Sequence, residues 1–484
     1  MDSLSLARWQ FGLTTVYHYL FIPISIGLAL FVAIVETAWV RTRNPAHLRT
    51  GKFFGTLLLI NFAIGVVTGI VQEFQFGMNW SSYSRFVGDV FGAPLAMESL
   101  LAFFIESTFL GLWIFGWDKL SPRLHVACMW MVALGTTASA YFILAANTFM
   151  QHPVGVEIDP ATGRPQLVDI GAVLFQPLQL ATFAHVIAAC WLTGSVVVVG
   201  ICAFFIAHRR EVPTVRPVLR VGLWIMMVTA LAVIVTGDLQ GKQMTQAQPM
   251  KMAAAEALYS TTDTASFSLV TIGTLDGRQE TFSIRVPGVL SFMATGNLHG
   301  TVEGIDDVQR QYEQRYGPGD YRPDIPLTYW LFRLMMGAGF ILALVAVVGL
   351  WLTRRGREPS SPWVWRLAMW SVAGAFVGNS AGWIFTEMGR QPWTVFGLYR
   401  TQDSVSPTVT SGSVLTSLII FTVVYGVLAV IEGRLFFRAV KKGLPDEATV
   451  VAVLGTRNPL QRKPDQDSDG GGGEQAGDVL TFAY

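Results

Sequence analysis

The sequence predicts an all-α integral membrane protein with nine transmembrane helices and a long extracytoplasmic loop between the sixth and seventh helices. Of the 484 residues, 52% are hydrophobic and only 14% are charged, against about 25% charged in an ordinary soluble domain. The chain contains nine apolar runs long enough to cross a hydrocarbon core of about 30 Å. Short connections between several of these runs are rich in arginine and lysine, which favours a cytoplasmic position for them.

The apolar runs give the order of the predicted helices. They cover residues 11–40, 54–77, 93–117, 124–150, 176–207, 218–238, 327–353, 363–388 and 411–438. The first run is too long for the apolar core of a signal peptide, so we expect it to stay in the membrane. Basic connections follow the first, fifth and seventh runs, which places the amino terminus outside and the carboxyl terminus in the cytoplasm.

The chain divides into four predicted segments. Residues 1–238 hold helices one to six, 239–326 the outer loop, 327–444 helices seven to nine, and 445–484 a polar tail. In the loop, two strand-like stretches at 266–270 and 281–286 flank the dipeptide Asp276-Gly277, which predicts a β-hairpin. The tail contains a run of four glycines at 470–473, and we expect it to be disordered in the cytoplasm.

Composition excludes several classes of function. The formal net charge of +1 indicates no nucleic-acid partner, and the lipid bilayer is the partner that the hydrophobicity predicts. The three cysteines lack C-x-x-C spacing, which excludes a disulfide framework, a cysteine-bound iron–sulfur cluster and covalently attached haem. Five of the seven histidines sit in or beside the predicted loops, which leaves His18 and His185 within apolar helices, too few for a copper-containing haem oxidase.

His185 and Met335 are the first candidate pair. Each lies about eight or nine residues from the outer end of its predicted helix, so both are at a depth of roughly 13 Å. An imidazole and a thioether on opposite faces of a haem iron form a low-spin, electron-transferring centre. The alternative is that His185 makes an interhelical hydrogen bond and that Met335 packs in the core.

Four further ionisable groups are predicted at membrane depth. His18 in the first helix and Glu387 near the outer end of the eighth are each candidates for a ligand or a proton site. Glu98 and Glu106 in the third helix are eight residues apart, about 12 Å and 80° on a regular helix, which suits a proton relay better than a shared metal. The alternative for each carboxyl is a protonated, interhelical hydrogen bond.

Three charged residues outside the apolar runs also have two interpretations each. Lys251 and Glu256 are five residues apart in the outer loop, a spacing that is poor for a helix ion pair. They are either solvated loop charges or part of a binding site. Arg390, in the sequence GRQPW after the eighth helix, is either an interfacial anchor or a partner for haem propionates.

These residues resemble subunit I of the cytochrome bd quinol oxidases, over essentially all nine predicted helices and the outer loop. The motifs that carry the resemblance are GAPLAME at 92–98, FIESTF at 104–109, ANTFMQHPVG at 146–155, QPMKMAAAE at 248–256, RLM at 333–335 and WIFTEMGRQPW at 383–393. The outer loop is short for this family.

The resemblance implies three non-covalent haems, b558, b595 and d. His185 and Met335 match the iron ligands of haem b558, while His18 and Glu387 match ligands of the other two haems, with the order left open. Glu98 and Glu106 match the acidic pair near those two haems, and Lys251 and Glu256 match residues that bind quinol. Three further matches lie beside the haems: Arg333, Arg390 and Trp383.

The resemblance also implies an activity, a location and partners. Menaquinol or ubiquinol would be oxidised at the outer face, and dioxygen would be reduced to water with cytoplasmic protons, which generates a proton motive force without pumping. The expected location is a bacterial plasma membrane, and the expected partners are subunit II and a small accessory subunit. The residues alone leave two rivals: a proton-coupled membrane transporter, and a haem-bearing electron-transfer subunit that does not reduce oxygen.

Overall fold

The computed structural model describes residues 2–447, and the chain in this range is dominated by long helices. The helices are α1 Ser3–Tyr19, α2 Phe21–Thr42, α3 Pro45–Met78, α4 Ser81–Met97, α5 Phe104–Phe115, α6 Pro122–Gln151, α7 Ile170–Phe175, α8 Pro177–Ala207, α9 Val212–Ala247, α10 Pro249–Glu256, α11 Val289–Thr295, α12 Ile305–Tyr316, α13 Ile325–Leu352, α14 Pro362–Met388 and α15 Ser411–Lys442. Apart from 445–447, the predicted tail lies outside the described residues.

Short strands complete the described chain. They are β1 Val156–Ile158, β2 Pro165–Leu167, β3 Thr262–Asp263, β4 Phe267–Gly273, β5 Glu280–Val286, β6 Thr301–Val302, β7 Trp393–Val395 and β8 Tyr399–Arg400. They form four antiparallel pairs, β1 with β2, β3 with β6, β4 with β5 and β7 with β8. The β4–β5 pair is the hairpin that the sequence predicts around Asp276-Gly277.

Eight helical segments between residues 2 and 447 are long and apolar enough to cross a membrane. They correspond to the predicted runs one to seven and nine. The predicted eighth run corresponds to α14, which packs beside α13 and α8 and bonds to α8 through Asn379 Nδ2 and Thr193 Oγ1 at 2.8 Å. Glycine and polar residues lower the hydropathy of α14, so the count of nine spanning helices stays a prediction.

Two helices differ from the predicted runs. The first run is divided at Leu20 into α1 and α2, because Pro23 lacks an N–H group and its ring crowds the carbonyl of Tyr19 four residues earlier. The sixth helix continues past 238 to Ala247. Its last turns are polar and are supported by a 2.6 Å ion pair between Lys242 and Asp238.

Helices α2 and α8 form the centre of the bundle and approach each other closely at glycine. A Cβ atom on Gly27 would lie 2.6 Å from the Cα of Gly194 and 2.6 Å from the carbonyl oxygen of Cys190. Small residues of this kind allow helix backbones to pack tightly in a membrane protein. Around this contact, α3 and α6 pack against α2, and α9 and α14 pack against α8.

Candidate functional site

A cavity of about 740 Å³ lies between α8, α9, α13 and α14. His185 on α8 and Met335 on α13 both contribute to its lining. Glycine leaves room for these two side chains, since a Cβ on Gly237 would lie 3.2 Å from His185 Cε1 and a Cβ on Gly382 would lie 2.8 Å from Met335 Sδ. The volume is within the range of cofactor sites, about 300–1,000 Å³.

A threonine fixes the proton position on His185. The Thr236 hydroxyl donates to the carbonyl of Ala232 at 2.7 Å, so its oxygen accepts a proton from His185 Nδ1 at 3.3 Å. Nε2 then keeps its lone pair, which is the state of an imidazole that ligates a metal. The geometry therefore suits His185 as a ligand through Nε2.

His18, near the end of α1, has the same arrangement with a different threonine. Thr68 on α3 donates its hydroxyl proton within its own helix, 3.0 Å from the carbonyl oxygens of Ile64 and Gly65. Its oxygen lies 2.9 Å from His18 Nδ1, which therefore donates and leaves Nε2 with its lone pair. His18 is outside the cavity described above, so the two predicted histidine ligands occupy separate places.

Three side chains in the cavity lining have buried donors without a partner among the described residues. They are Arg333, through Nε and Nη1, Trp383, through Nε1, and Gln151, through Nε2. Buried donors are normally hydrogen-bonded, so these N–H groups are available to a polar group of a bound molecule. Together with the histidine and the thioether, they fit a haem, which has an iron at the centre of its ring and anionic propionates at the edge.

Lys251 and Glu256 are not solvated loop charges, since their exposed fractions are 4% and 0%. Both lie on the short helix α10, and both line the same cavity. The Lys251 ammonium donates to Gln151 Oε1 at the end of α6. Burial, with the nearby charge of Arg390, lowers the pKa of Lys251 to about 7, against the opposing effect of Glu387.

Glu256 pairs with Arg333 and not with Lys251. Its Oε2 accepts from Arg333 Nη2 at 2.6 Å and from the backbone N–H of Ser268 at 3.2 Å. Its Oε1 is buried and has no partner among residues 2–447. Burial raises the pKa of Glu256, although Arg333 opposes that rise. The carboxyl therefore presents an unused acceptor to the cavity.

Glu387 and Arg390 form an ion pair at the end of α14. The other carboxyl oxygen of Glu387 accepts from Asn147 Nδ2 on α6 at 2.9 Å. Arg390 is 5% exposed, so its side chain is enclosed by protein. The pair adjoins the cavity because Asn147 is part of its lining.

The expected geometry of Glu98 and Glu106 is wrong, because the third predicted helix is not regular. A π-helical segment, Glu98–Phe103, separates α4 from α5 and changes the rotation between the carboxyls. Glu98 is half-buried and accepts from Ser139 on α6 at 2.8 Å. Glu106 is buried against Gly135 on α6.

The structure thus gathers eight of the predicted residues at or beside one cavity. They are His185, Met335, Lys251, Glu256, Arg333, Trp383, Glu387 and Arg390. His18, Glu98 and Glu106 lie elsewhere in the bundle. In residues 2–447, no three His, Cys, Asp or Glu side chains cluster as a metal site.

Sequence reasoning assigned no role to Gln151, Thr68 and Thr236. Gln151 falls within a quoted motif, and its side chain holds the Lys251 ammonium. The threonines gave no such signal, because threonine is common in membrane helices and usually bonds to its own backbone.

Comparisons with known proteins agree with one another. Residues 6–444 match the family described as cytochrome bd terminal oxidase subunit I. The chain is 47% identical over 446 residues to cytochrome bd ubiquinol oxidase subunit 1 of Bacillus subtilis (strain 168), covering 92% of this chain and 94% of that protein. It is 33% identical over 499 residues to cytochrome bd-II ubiquinol oxidase subunit 1 of Escherichia coli (strain K12), covering 91% and 97%.

A solved structure has the same fold. The bd oxidase from Geobacillus thermodenitrificans superposes with a TM-score of 0.83 at 29% identity, and the match covers 91% of this chain and 99% of that one.

Proposed function

The chain belongs to the cytochrome bd terminal oxidase subunit I family, and we propose that its large cavity is where quinol is oxidised beside a haem. Membership makes it a haem-containing quinol oxidase of a bacterial membrane. One observation carries the proposal about the cavity: the same space is lined both by Lys251 and Glu256 and by His185 and Met335. A quinol held by the first two residues would lie in the same space as the electron acceptor.

Lys251 and Glu256 are proposed to bind quinol and accept its hydroxyl protons. A lysine with a pKa near 7 is neutral in an appreciable fraction of molecules, so its nitrogen can take a proton. The unpartnered Oε1 of Glu256 can accept the second hydroxyl. Arg333 holds the other oxygen of this carboxyl at 2.6 Å and so fixes its direction.

The proposed haem ligands are two pairs. His185 and Met335 would hold haem b558, with Arg333 and Trp383 as hydrogen-bond donors to it. His18 and Glu387 would hold haems b595 and d, with the order open, and Arg390 beside Glu387. When bound, these haems supply electron transfer from quinol and the reduction of dioxygen to water.

Glu98 and Glu106 are proposed to carry protons toward the site of dioxygen reduction. Glu106 is buried within a candidate membrane span, where a carboxyl without a function is costly. With the amino terminus outside and α10 on the outer face, quinol protons would leave outside and consumed protons would enter from the cytoplasm. This arrangement generates a proton motive force without pumping. We also propose subunit II as the partner and menaquinol or ubiquinol as the substrate.

Two measurements on the purified complex test the proposal. An absorbance spectrum should show three haem centres, and an oxygen electrode should record oxygen consumption that depends on added quinol. A spectrum without haem would favour the transporter, which is the runner-up. Haem bands with quinol-dependent reduction but no oxygen consumption would indicate an electron-transfer subunit of another kind.

A further inference from the structure

A buried ionisable pair, Glu36 on α2 and His125 on α6, lies outside the cavity described above. Both side chains are fully buried, and His125 Nδ1 lies 3.2 Å from Glu36 Oε2. Glu36 is six residues before the end of α2, and His125 is the fourth residue of α6. These helix ends are on the side that the basic connections predict to be cytoplasmic. Buried ionisable groups in a membrane span are costly unless they have a function.

Two hydrogen bonds with Trp113 on α5 determine how many protons Glu36 and His125 hold between them. His125 Nε2 lies 2.9 Å from the Trp113 carbonyl oxygen, which only accepts, so Nε2 carries a proton. The Trp113 indole N–H donates to Glu36 Oε1 at 2.8 Å. One proton therefore remains to be shared between Nδ1 and Oε2. The pair can hold it as imidazolium and carboxylate or as imidazole and carboxylic acid, with no change in net charge.

Two other titratable groups interact with this pair. Lys52 on α3 interacts electrostatically with Glu36, and its ammonium lies 4.7 Å from the ring centre of Trp117. The Cys128 thiol, on the same helix as His125, also interacts with Glu36. If the shared proton leaves, Glu36 remains as a carboxylate beside neutral His125. The positive charge of Lys52 and the indole N–H stabilise that state.

The pair is aligned with Glu106 along α5. Trp113 follows Glu106 by seven residues, which is about 10 Å along the helix and almost the same face. Glu106 and Trp113 are both buried, as is Leu110 between them. Because Leu110 has no titratable group, transfer across this turn requires water molecules. Two titratable sites therefore lie along one side of α5. The pair of Glu36 and His125 is nearer the predicted cytoplasmic end, and Glu106 is deeper in the membrane.

We propose that Glu36 and His125 form a proton-loading pair, which takes one proton at a time from the cytoplasmic side and releases it toward Glu106. The proton shared by Nδ1 and Oε2 leaves inward, and one from the cytoplasm replaces it, without electron transfer. This inference rests on the proposed function, since it requires dioxygen reduction by protons from that side.

The test uses the complete oxidase complex in sealed vesicles, driven by a short-chain quinol. Glu36→Gln and His125→Gln keep hydrogen-bonding capacity but cannot store the proton. Each should keep full haem content and normal haem reduction by quinol, yet lose at least about tenfold in oxygen consumption and in proton uptake from the cytoplasmic side. The loss should increase with pH as protons become scarce. The double variant should be no slower than either single variant, because the two groups act as one unit.

Glu211→Gln is the matched control. It removes a carboxylate at the same end of the bundle that pairs with Arg49 at 2.9 Å but has no bond to the proposed pair, so turnover should stay unchanged. Wild-type turnover and pH profile in both Glu36→Gln and His125→Gln, at full haem content, would overturn the inference.

If Glu36→Gln and His125→Gln lose haem, Trp113→Phe provides a second test of the pair. It keeps both titratable groups and removes the indole donor to Glu36 together with part of the ring volume, so the pH profile of oxygen consumption should shift. An unchanged profile in that variant would also overturn the inference. If the wild-type complex itself shows no quinol-driven oxygen consumption or proton uptake, the proposed function fails, which is a separate outcome.

Discussion

Replacing Glu256 with glutamine tests the proposed quinol site in the cavity most directly. The side chain keeps its size and its hydrogen-bonding oxygen, but the negative charge is lost. In the wild type, Oε2 accepts from Arg333 Nη2 at 2.6 Å while Oε1 has no partner in the described chain. The variant therefore keeps a contact to Arg333 but presents a weaker acceptor, or an amide donor, to quinol.

The size of the effect follows from the bond that is weakened. A hydrogen bond to a charged group contributes about 1.5–3 kcal/mol, which corresponds to roughly 10- to 150-fold in kcat/KM. A second cost concerns stability, because Arg333 remains buried without its counter-ion, and removal of one partner of a buried pair costs about 3–5 kcal/mol. Haem content must therefore be measured together with the kinetics.

The assay is steady-state quinol oxidation by Glu256→Gln, normalised to haem. Glu280→Gln is the matched control, because Glu280 forms an ion pair with Arg285 at 2.6 Å in the same loop without lining the cavity. We expect the control to match the wild type. A kcat/KM within twofold of the wild type at full haem content would refute the assignment of Glu256 to quinol.

Four further predictions concern other parts of the site. Met335→Leu nearly conserves volume but removes the thioether, so a redox titration should show a lowered haem potential or a high-spin spectrum, and an unchanged centre would exclude Met335 as a ligand. Thr236→Val removes the acceptor for His185 Nδ1–H, and haem retention on dilution should fall about 10- to 100-fold; full retention would contradict the role of the threonine. Wild-type quinol oxidation should rise with pH through about 7, because Lys251 becomes neutral and able to accept a proton, and Lys251→Met should abolish that rise. Glu106→Gln should leave haem reduction by quinol intact while slowing oxygen consumption, and normal turnover with full haem content would leave Glu106 as a structural carboxyl.

The helices could be predicted from the sequence because a helix that crosses a membrane needs an apolar run long enough to span the hydrocarbon core. The predicted run 124–150 corresponds to α6 Pro122–Gln151 and the run 411–438 to α15 Ser411–Lys442. The same criterion fails at the end of α9, which extends to Ala247 beyond its apolar part. Hydrophobicity marks where a helix is in lipid, not where its hydrogen bonding stops.

The burial of Lys251 and Glu256 could not be predicted in the same way. A spacing of five residues is poor for a helix ion pair between them, and their observed partners, Gln151 and Arg333, are 100 and 77 residues away. Contacts of that kind depend on how α10 packs across the cavity. The threonines behind His18 and His185 were missed for a related reason, since a hydrogen bond between two helices leaves no periodicity in either one.

The departures from regular helix occur next to candidate functional residues. The division at Leu20 follows His18 by two residues, and the π-helical segment begins at Glu98 and ends three residues before Glu106. A π turn holds more residues than an α turn, so it rotates every later side chain on the helix. Glu106, on the helix that follows the π-helical segment, packs against Gly135 of α6. Regular helical periodicity predicts the parts of each helix that pack against neighbouring helices or lipid. It does not predict the irregular turns that orient a single functional side chain. The site is therefore least predictable at the positions where its geometry matters most.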